Sequence, residues 1–250
     1  MAKKSNKNQG MAESSTKPSK NGKIKERVFA YATKGQRELL LKIFNLPKVF
    51  DDFFFTGGTA LSVFYLGHRR SRDLDFFTIK QSLDLKEFSA LLENVLKPQQ
   101  TFAVTETFYS CKIGDIKVDF VIDHLSSDEE RPIIVCSQTK IRLDTLDNIS
   151  INKIASVISR GEAKDIIDLT TLFIKRKLPN FLHLYKKAIQ REALLEDWEY
   201  VLAFFDHVAE NAEAIIKETK NDLLQMLSSV DIVSAISFFK KEIKSFYCKK

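Results

Sequence analysis

The chain lacks the residues that staple small folds together. It has three cysteines in 250 residues (Cys111, Cys136 and Cys248), no CxxC pair, and four histidines spread from His68 to His207. Such spacing excludes a disulfide framework and a local structural zinc site, and it suits a reducing cytoplasm. Long apolar runs are also missing: the longest, residues 200–205, falls far below the ~20 needed to span a bilayer. The N-terminus shows neither the apolar core nor the small-residue cleavage site of a secretion signal, so the expectation is a cytoplasmic protein with no membrane segment. After Gly161 there is no glycine, and Pro179 is the one proline, which predicts a helical last third.

The charge that is present is unevenly placed. The net value is +6, yet residues 1–25 alone hold seven lysines against one glutamate, so the rest of the chain is neutral. This aromatic-free segment cannot bury enough surface to offset its conformational entropy and is expected to be disordered. It reads as a solubilising extension or as an electrostatic arm for a polyanion. The remainder of a chain that is 44% hydrophobic is long enough for one sizeable core or two modest ones.

Strand and helix signals alternate in the middle. Residues 53–56 read as a short apolar strand stopping at Gly57-Gly58, and 59–66 as the helix that follows. Residues 73–77 suit a strand, 84–96 a helix ended by Pro98, and 102–113 another strand. Gly114-Asp115 then gives a hairpin turn into a strand over 116–122. Asp147 is the expected cap of a helix over 151–159. Apolar residues recur at helical spacing over 194–208 and 232–246. The predicted class is α+β, with a mixed-sheet domain over 26–150 and a helical bundle over 151–250.

One constellation carries chemistry. Side chains alternate across a strand, so Asp73 and Asp75 project from one face while Leu74 and Phe76 enter the core. On the later strand Ile116, Val118, Phe120 and Ile122 form the apolar face, leaving Lys117, Asp119 and Val121 opposite, with Asp123 on the same side as Asp119. Three close carboxylates raise one another's pKa values unless a cation neutralises them, and hard oxygen ligands suit magnesium, which normally accompanies phosphate. The Gly57-Gly58-Thr59 turn lets backbone approach an anion, and the helix behind it offers unpaired amides. Arg69, Arg70, Ser71 and Arg72 add donors for phosphate oxygens or a nucleic-acid backbone.

In this order the parts resemble the nucleotidyltransferase superfamily related to DNA polymerase β: a glycine pair opening a helix, Asp-x-Asp on a strand, then a later strand aspartate. Two segments are similar to the bacterial AbiEii/AbiGii toxin family. One is Thr56-Gly57-Gly58-Thr59-Ala60-Leu61 followed by residues 67–77. The other is Lys153-Ile154-Ala155, Arg160 and Lys164-Asp165-Ile166-Ile167-Asp168-Leu169. The resemblance implies a polymerase-β-like nucleotidyltransferase domain with a mixed sheet, its cleft closed by the helical bundle. The implied reaction moves a nucleoside monophosphate from an NTP to an acceptor hydroxyl, with RNA and in particular the 3′ end of tRNA as acceptor and growth arrest as output.

By the same resemblance, Asp73, Asp75 and Asp119 would hold two magnesium ions, with Asp123 as the substitute for Asp119. Gly57, Gly58, Thr59, Arg70 and Ser71 would bind phosphate, and Lys153 would neutralise the triphosphate. Asp165 would orient that lysine or assist deprotonation of the acceptor, with Arg160, Lys164 and Asp168 in support. A cognate antitoxin, a DNA-binding repressor, is the implied partner. Nucleotidylation of a protein or small molecule and a non-catalytic nucleotide-binding module are the rival readings. The plainer reading of the downstream segment is an amphipathic helix with a surface Lys164–Asp168 ion pair, and His68 reads as structural.

Overall fold

The computed structural model describes residues 24–178 and 180–248; most of the lysine-rich segment lies outside them. The first elements are α1 (Lys34–Phe44), capped by the Thr33 side chain, and the single turn α2 (Val49–Asp52). The phenylalanine run then becomes β1 (Phe54–Thr56), buried throughout. At Gly57 the strand passes directly into α3 (Gly57–Ala60), which continues in wider π-helical turns over Leu61–Leu66. The next elements are β2 (Leu74–Thr78), α4 (Leu85–Leu96, capped by Asp84), β3 (Gln100–Val104), β4 (Phe108–Ile113) and β5 (Ile116–Ile122).

The five strands form one mixed sheet of order β1-β2-β5-β4-β3. Its central pair, β2 and β5, is parallel and the other neighbours are antiparallel. Alternation sorts the faces as expected: Leu74, Phe76, Val118 and Phe120 are buried, and the Phe76 and Phe120 rings stack with centroids 4.8 Å apart.

Two local expectations need correction, and one hairpin was not expected at all. The strand expected over 102–113 is two strands, because Thr105 Oγ1 accepts from the N–H groups of Thr107 and Phe108 and folds β3 back onto β4. A second hairpin, β6 (Ile133–Cys136) and β7 (Thr139–Arg142), turns through Ser137 and Gln138 at φ 45° and 73°. Glycine or asparagine is the usual signal at such left-handed positions, and neither is there. Helix α5 (Leu146–Arg160) starts earlier than expected, its cap being Thr145, whose side chain accepts from the Asn148 N–H, while Asp147 lies in the first turn.

The rest is helical: α6 (Ala163–Ile174), α7 (Phe181–Ile189), α8 (Trp198–Glu210), α9 (Ala212–Thr219) and α10 (Ser229–Tyr247). The apolar stripe over 194–208 is divided at Asp197, whose side chain accepts from the Tyr200 N–H and starts α8. Phe239 of α10 packs against Phe173, Phe181 and Phe205. One contiguous apolar core runs from the sheet into these helices. Among the described residues no helix is long and apolar enough to cross a membrane.

Candidate active site

The parallel β2–β5 pairing sets Asp75 directly beside Asp119, both on the sheet face away from the phenylalanine core. Ser110, opposite Asp119 on β4, donates its hydroxyl to Asp119 Oδ1 at 2.6 Å, and Lys117 Nζ meets Oδ2 at 2.6 Å. Asp73 sits just ahead of β2, where its carbonyl accepts from Thr59 Oγ1 at 2.5 Å and from Gln36 Nε2 at 3.4 Å. Burial, then the neighbouring Asp119 and Asp73 carboxylates, push the Asp75 carboxyl up to about 7. Asp123 lies past the end of β5 and is engaged elsewhere: its Oδ1 accepts from the Leu125 and Ser126 N–H groups and its Oδ2 from the Ser126 hydroxyl. Among the described residues no three His, Cys, Asp or Glu side chains are gathered closely enough to hold a metal ion unaided. Asp119 is turned instead toward Ser110 and Lys117.

The glycine pair is dictated by packing on its inner side. Gly57 has φ +73°, and a Cβ there would overlap Asp75 Oδ2 and lie 2.7 Å from its Cγ; one on Gly58 would come within 2.7 Å of Arg69 Nη2 and 2.9 Å of Ser71 Oγ. The carboxylate-bearing strand and the start of α3 therefore touch without intervening side chain. Gly57→Ala is expected to cost about 2 to 3 kcal/mol and lower Tm by roughly 4–10 °C, through the left-handed backbone and the displaced Asp75. Thermal unfolding followed by circular dichroism checks this, and an unchanged Tm would refute the close approach.

Opposite the carboxylates stands a cationic wall built from α5 and α6. Lys153 Nζ binds Asp165 Oδ1 at 2.7 Å and Asp168 Oδ2 at 2.8 Å. Arg160 forks onto Asp165 at 2.7 and 3.1 Å, and Arg69 forks onto Asp168 at 2.6 and 2.8 Å. His68 completes the set through Nε2, 2.7 Å from Asp168 Oδ1. Burial works to raise both carboxyls, but the surrounding cations hold Asp165 below, and Asp168 well below, the ordinary carboxylate value. Burial lowers the His68 pKa, so Nε2 carries the single ring proton and donates it to Asp168. Lys164 pairs with Glu162 at 2.8 Å, so the surface Lys164–Asp168 pair of the plainer reading does not form.

Between the walls lies a cleft of about 390 Å³, lined by Gly57, Gly58 and Asp75 on one side and by Asn152, Lys153, Ser156 and Arg160 on the other. Several sequence-predicted residues do not line it, Asp73 and Asp119 among them. Thr59 is fully buried behind the turn. Arg70 and Arg72 are exposed on another surface, Arg72 pairing with Asp222 at 3.2 Å. Ser71 packs beneath Gly58, its carbonyl accepting from Gln36 Nε2 at 2.9 Å. Other site residues escaped the sequence reading. Asp144 joins the end of β1 to α5, accepting from Thr56 Oγ1 at 2.6 Å and Asn148 Nδ2 at 2.8 Å; burial pushes it up to about 6. Nothing local marks Asp144 or Arg191. The polar positions 152, 156, 159 and 160, recurring at helical spacing, were the available signal for the second wall.

Residues 38–233 match the family described as nucleotidyl transferase AbiEii toxin, type IV TA system. An uncharacterized protein of Aquifex aeolicus (strain VF5) is 25% identical over 223 residues, covering 85% of this chain and 96% of that protein. Among solved structures, JHP933 from Helicobacter pylori is 14% identical with a TM-score of 0.46, covering 85% of this chain and 92% of that one. MenT4, a nucleotidyltransferase toxin from Mycobacterium tuberculosis H37Rv, is 13% identical with a TM-score of 0.44, covering 83% and 84%. With more than three-quarters of its length matched to that family, the chain belongs to the AbiEii nucleotidyltransferase toxins of type IV toxin–antitoxin systems.

Proposed function

We propose that this toxin transfers a nucleoside monophosphate from an NTP to the hydroxyl of an RNA acceptor, the 3′ end of tRNA in particular, with magnesium and with Asp75 at the centre. The observation that carries the reading is Asp75, in register with Asp119 on the neighbouring strand and facing Lys153 and Arg160 across the cleft. Magnesium is normally held by one or two protein carboxylates together with substrate phosphates and water, so an all-protein cage is not required. Asp75 and Asp119 would hold it, with Asp73 adding negative charge at the strand entry. Burial first, and then the neighbouring Asp119 and Asp73 carboxylates, raise the Asp75 pKa, and a cation would offset both. Bound there, the metal supplies charge neutralisation on the phosphates and a more acidic acceptor hydroxyl.

The chain's own groups do the positioning. The amides opening α3 at Gly57 and Gly58 face phosphate oxygens. Lys153 and Arg160 draw the departing pyrophosphate, as the acceptor hydroxyl releases its proton to water, its oxygen bonds to the α-phosphorus and the α–β bridging bond breaks in line. Both oxygens of Asp165 are occupied by Lys153 and Arg160, which suits it to orienting those cations and makes it a poor base. Asp168, itself fixed by Arg69 and His68, holds the lysine from behind. A DNA-binding repressor encoded beside the toxin is the proposed antitoxin.

The test incubates the protein with magnesium, each α-labelled NTP and total tRNA, and follows label into RNA. Incorporation is the expected result. Label in protein or in a small molecule would move the acceptor, and NTP binding without any transfer would leave a nucleotide-binding module. Lys153→Ala is expected to weaken NTP use by about tenfold or more, the worth of a charge-assisted hydrogen bond; unchanged kinetics would remove that lysine from the cleft chemistry.

A further inference from the structure

Helix α5 is buried along its length except for one stripe. From Ile149 to its end the accessible positions are Asn152, Ser156, Ser159 and Arg160. Their spacing puts them on one face, and all four line the cleft across from Asp75. Arg160 is spoken for by Asp165. The Asn152 Nδ2 group and the Ser156 and Ser159 hydroxyls have no protein partner among the described residues.

The Asn152 amide is not free to choose which atom it shows. Arg191, nine-tenths buried and held 3.7 Å from Asp123, donates Nη1 to Asn152 Oδ1 and donates Nη2 to Asn148 Oδ1 at 2.7 Å. A guanidinium has donors only, so the atom it meets on each asparagine is the oxygen. The two residues then diverge. Asn148 turns its NH2 inward to Asp144 at 2.8 and 3.0 Å, whereas Asn152 has no carboxylate behind it and its NH2 is left to the cleft. Asn152 lies about 12 Å along the helix axis from Arg160, a separation that an extended nucleoside triphosphate spans from base to terminal phosphate.

We propose that Asn152 reads the nucleobase, donating its amide N–H to a base carbonyl, and that Arg191 is a positioning residue that prevents the amide from flipping. This rests on the nucleotidyltransferase reading of the cleft. An amide that can flip donates or accepts and tolerates keto and amino bases alike; one held by its oxygen only donates. The cleft therefore selects a base with a carbonyl at the edge it reads over the matched base with an amino group, UTP over CTP or GTP over ATP.

Equilibrium binding of the four NTPs to the full chain with magnesium tests this, using wild type, Asn152→Ala, Asn152→Asp and Arg191→Lys. Wild type is expected to favour the keto member of one pair by about tenfold, the yield of one hydrogen bond. Asn152→Ala erases that ratio, and Asn152→Asp, which only accepts, reverses it. Arg191→Lys narrows the ratio by tightening binding of the disfavoured nucleotide, since a released amide can also accept, a gain that loss of fold would not give. Equal binding within both pairs by wild type, or a ratio unmoved by the two Asn152 variants, overturns the assignment and leaves the nucleotidyltransferase reading standing. Failure of wild type to bind any NTP overturns both.

Discussion

Asp75→Asn is expected to fold and to lose transfer by about a thousandfold or more, the loss of several kcal/mol of transition-state stabilisation. Its stability should move the other way. The folded Asp75 carboxyl is pushed up to about 7 from 3.8 by burial and by Asp119 and Asp73. The folded chain therefore binds that proton more tightly than the unfolded chain, and stability falls as pH rises from about 4 to about 7. The amide carries no such penalty, so the metal-free variant should melt higher than wild type at about pH 8, and the difference should vanish near pH 4. Magnesium should then raise the wild-type Tm at the upper pH and leave the variant's unchanged. Melting curves at the two pH values, with and without the metal, make the comparison, and a wild type indifferent to both would remove Asp75 from the metal site.

The largest loss of stability is expected from Asp168→Ala. Asp168 is fully buried and faces Arg69, Lys153 and His68. Its removal strands the Arg69 guanidinium without its fork and leaves Lys153 with Asp165 alone. Breaking one member of such a buried set costs about 3 to 5 kcal/mol, because the partners' charges remain in the interior, and Tm should fall by more than about 6 °C. The cations hold the Asp168 pKa well below the ordinary value despite its burial, so this contribution is present at neutral pH and persists into acid, fading only as pH falls toward the depressed pKa. Lys164→Ala, four residues away on the exposed side, is expected to stay within about 0.5 kcal/mol. Denaturant or thermal unfolding of the two variants settles the contrast, and equal effects would refute the buried network.

What was legible in the sequence follows from period and contact range. Asp75 and Asp119 can be placed on one face because alternation within a strand needs no knowledge of the rest of the chain. The glycine pair marks the turn for the same local reason, although the cause differs from the one expected: Gly57 answers to the Asp75 carboxylate and Gly58 to Arg69. Arg69 itself shows the limit. Within a run of three arginines and a serine nothing separates the one that turns inward from those facing water, since its partner Asp168 lies 99 positions on. Thr59 and Ser71 are comparable, polar residues beside a turn that serve Gln36 and Asp73 from within. The β6–β7 hairpin stayed hidden because Ser137 and Gln138 occupy left-handed positions without the customary residue types.

The span between Arg69 and Asp168 also bears on synthesis of the chain. On a ribosome the glycine turn, both strand aspartates and Arg69 are made long before α6. Until Asp165 and Asp168 emerge, Arg69 and Lys153 lack the carboxylates they bind in the fold, and burying them without these would cost several kcal/mol. A chain interrupted before α6 thus holds every residue of the carboxylate wall yet lacks both carboxylates that pair with the cations of the facing wall.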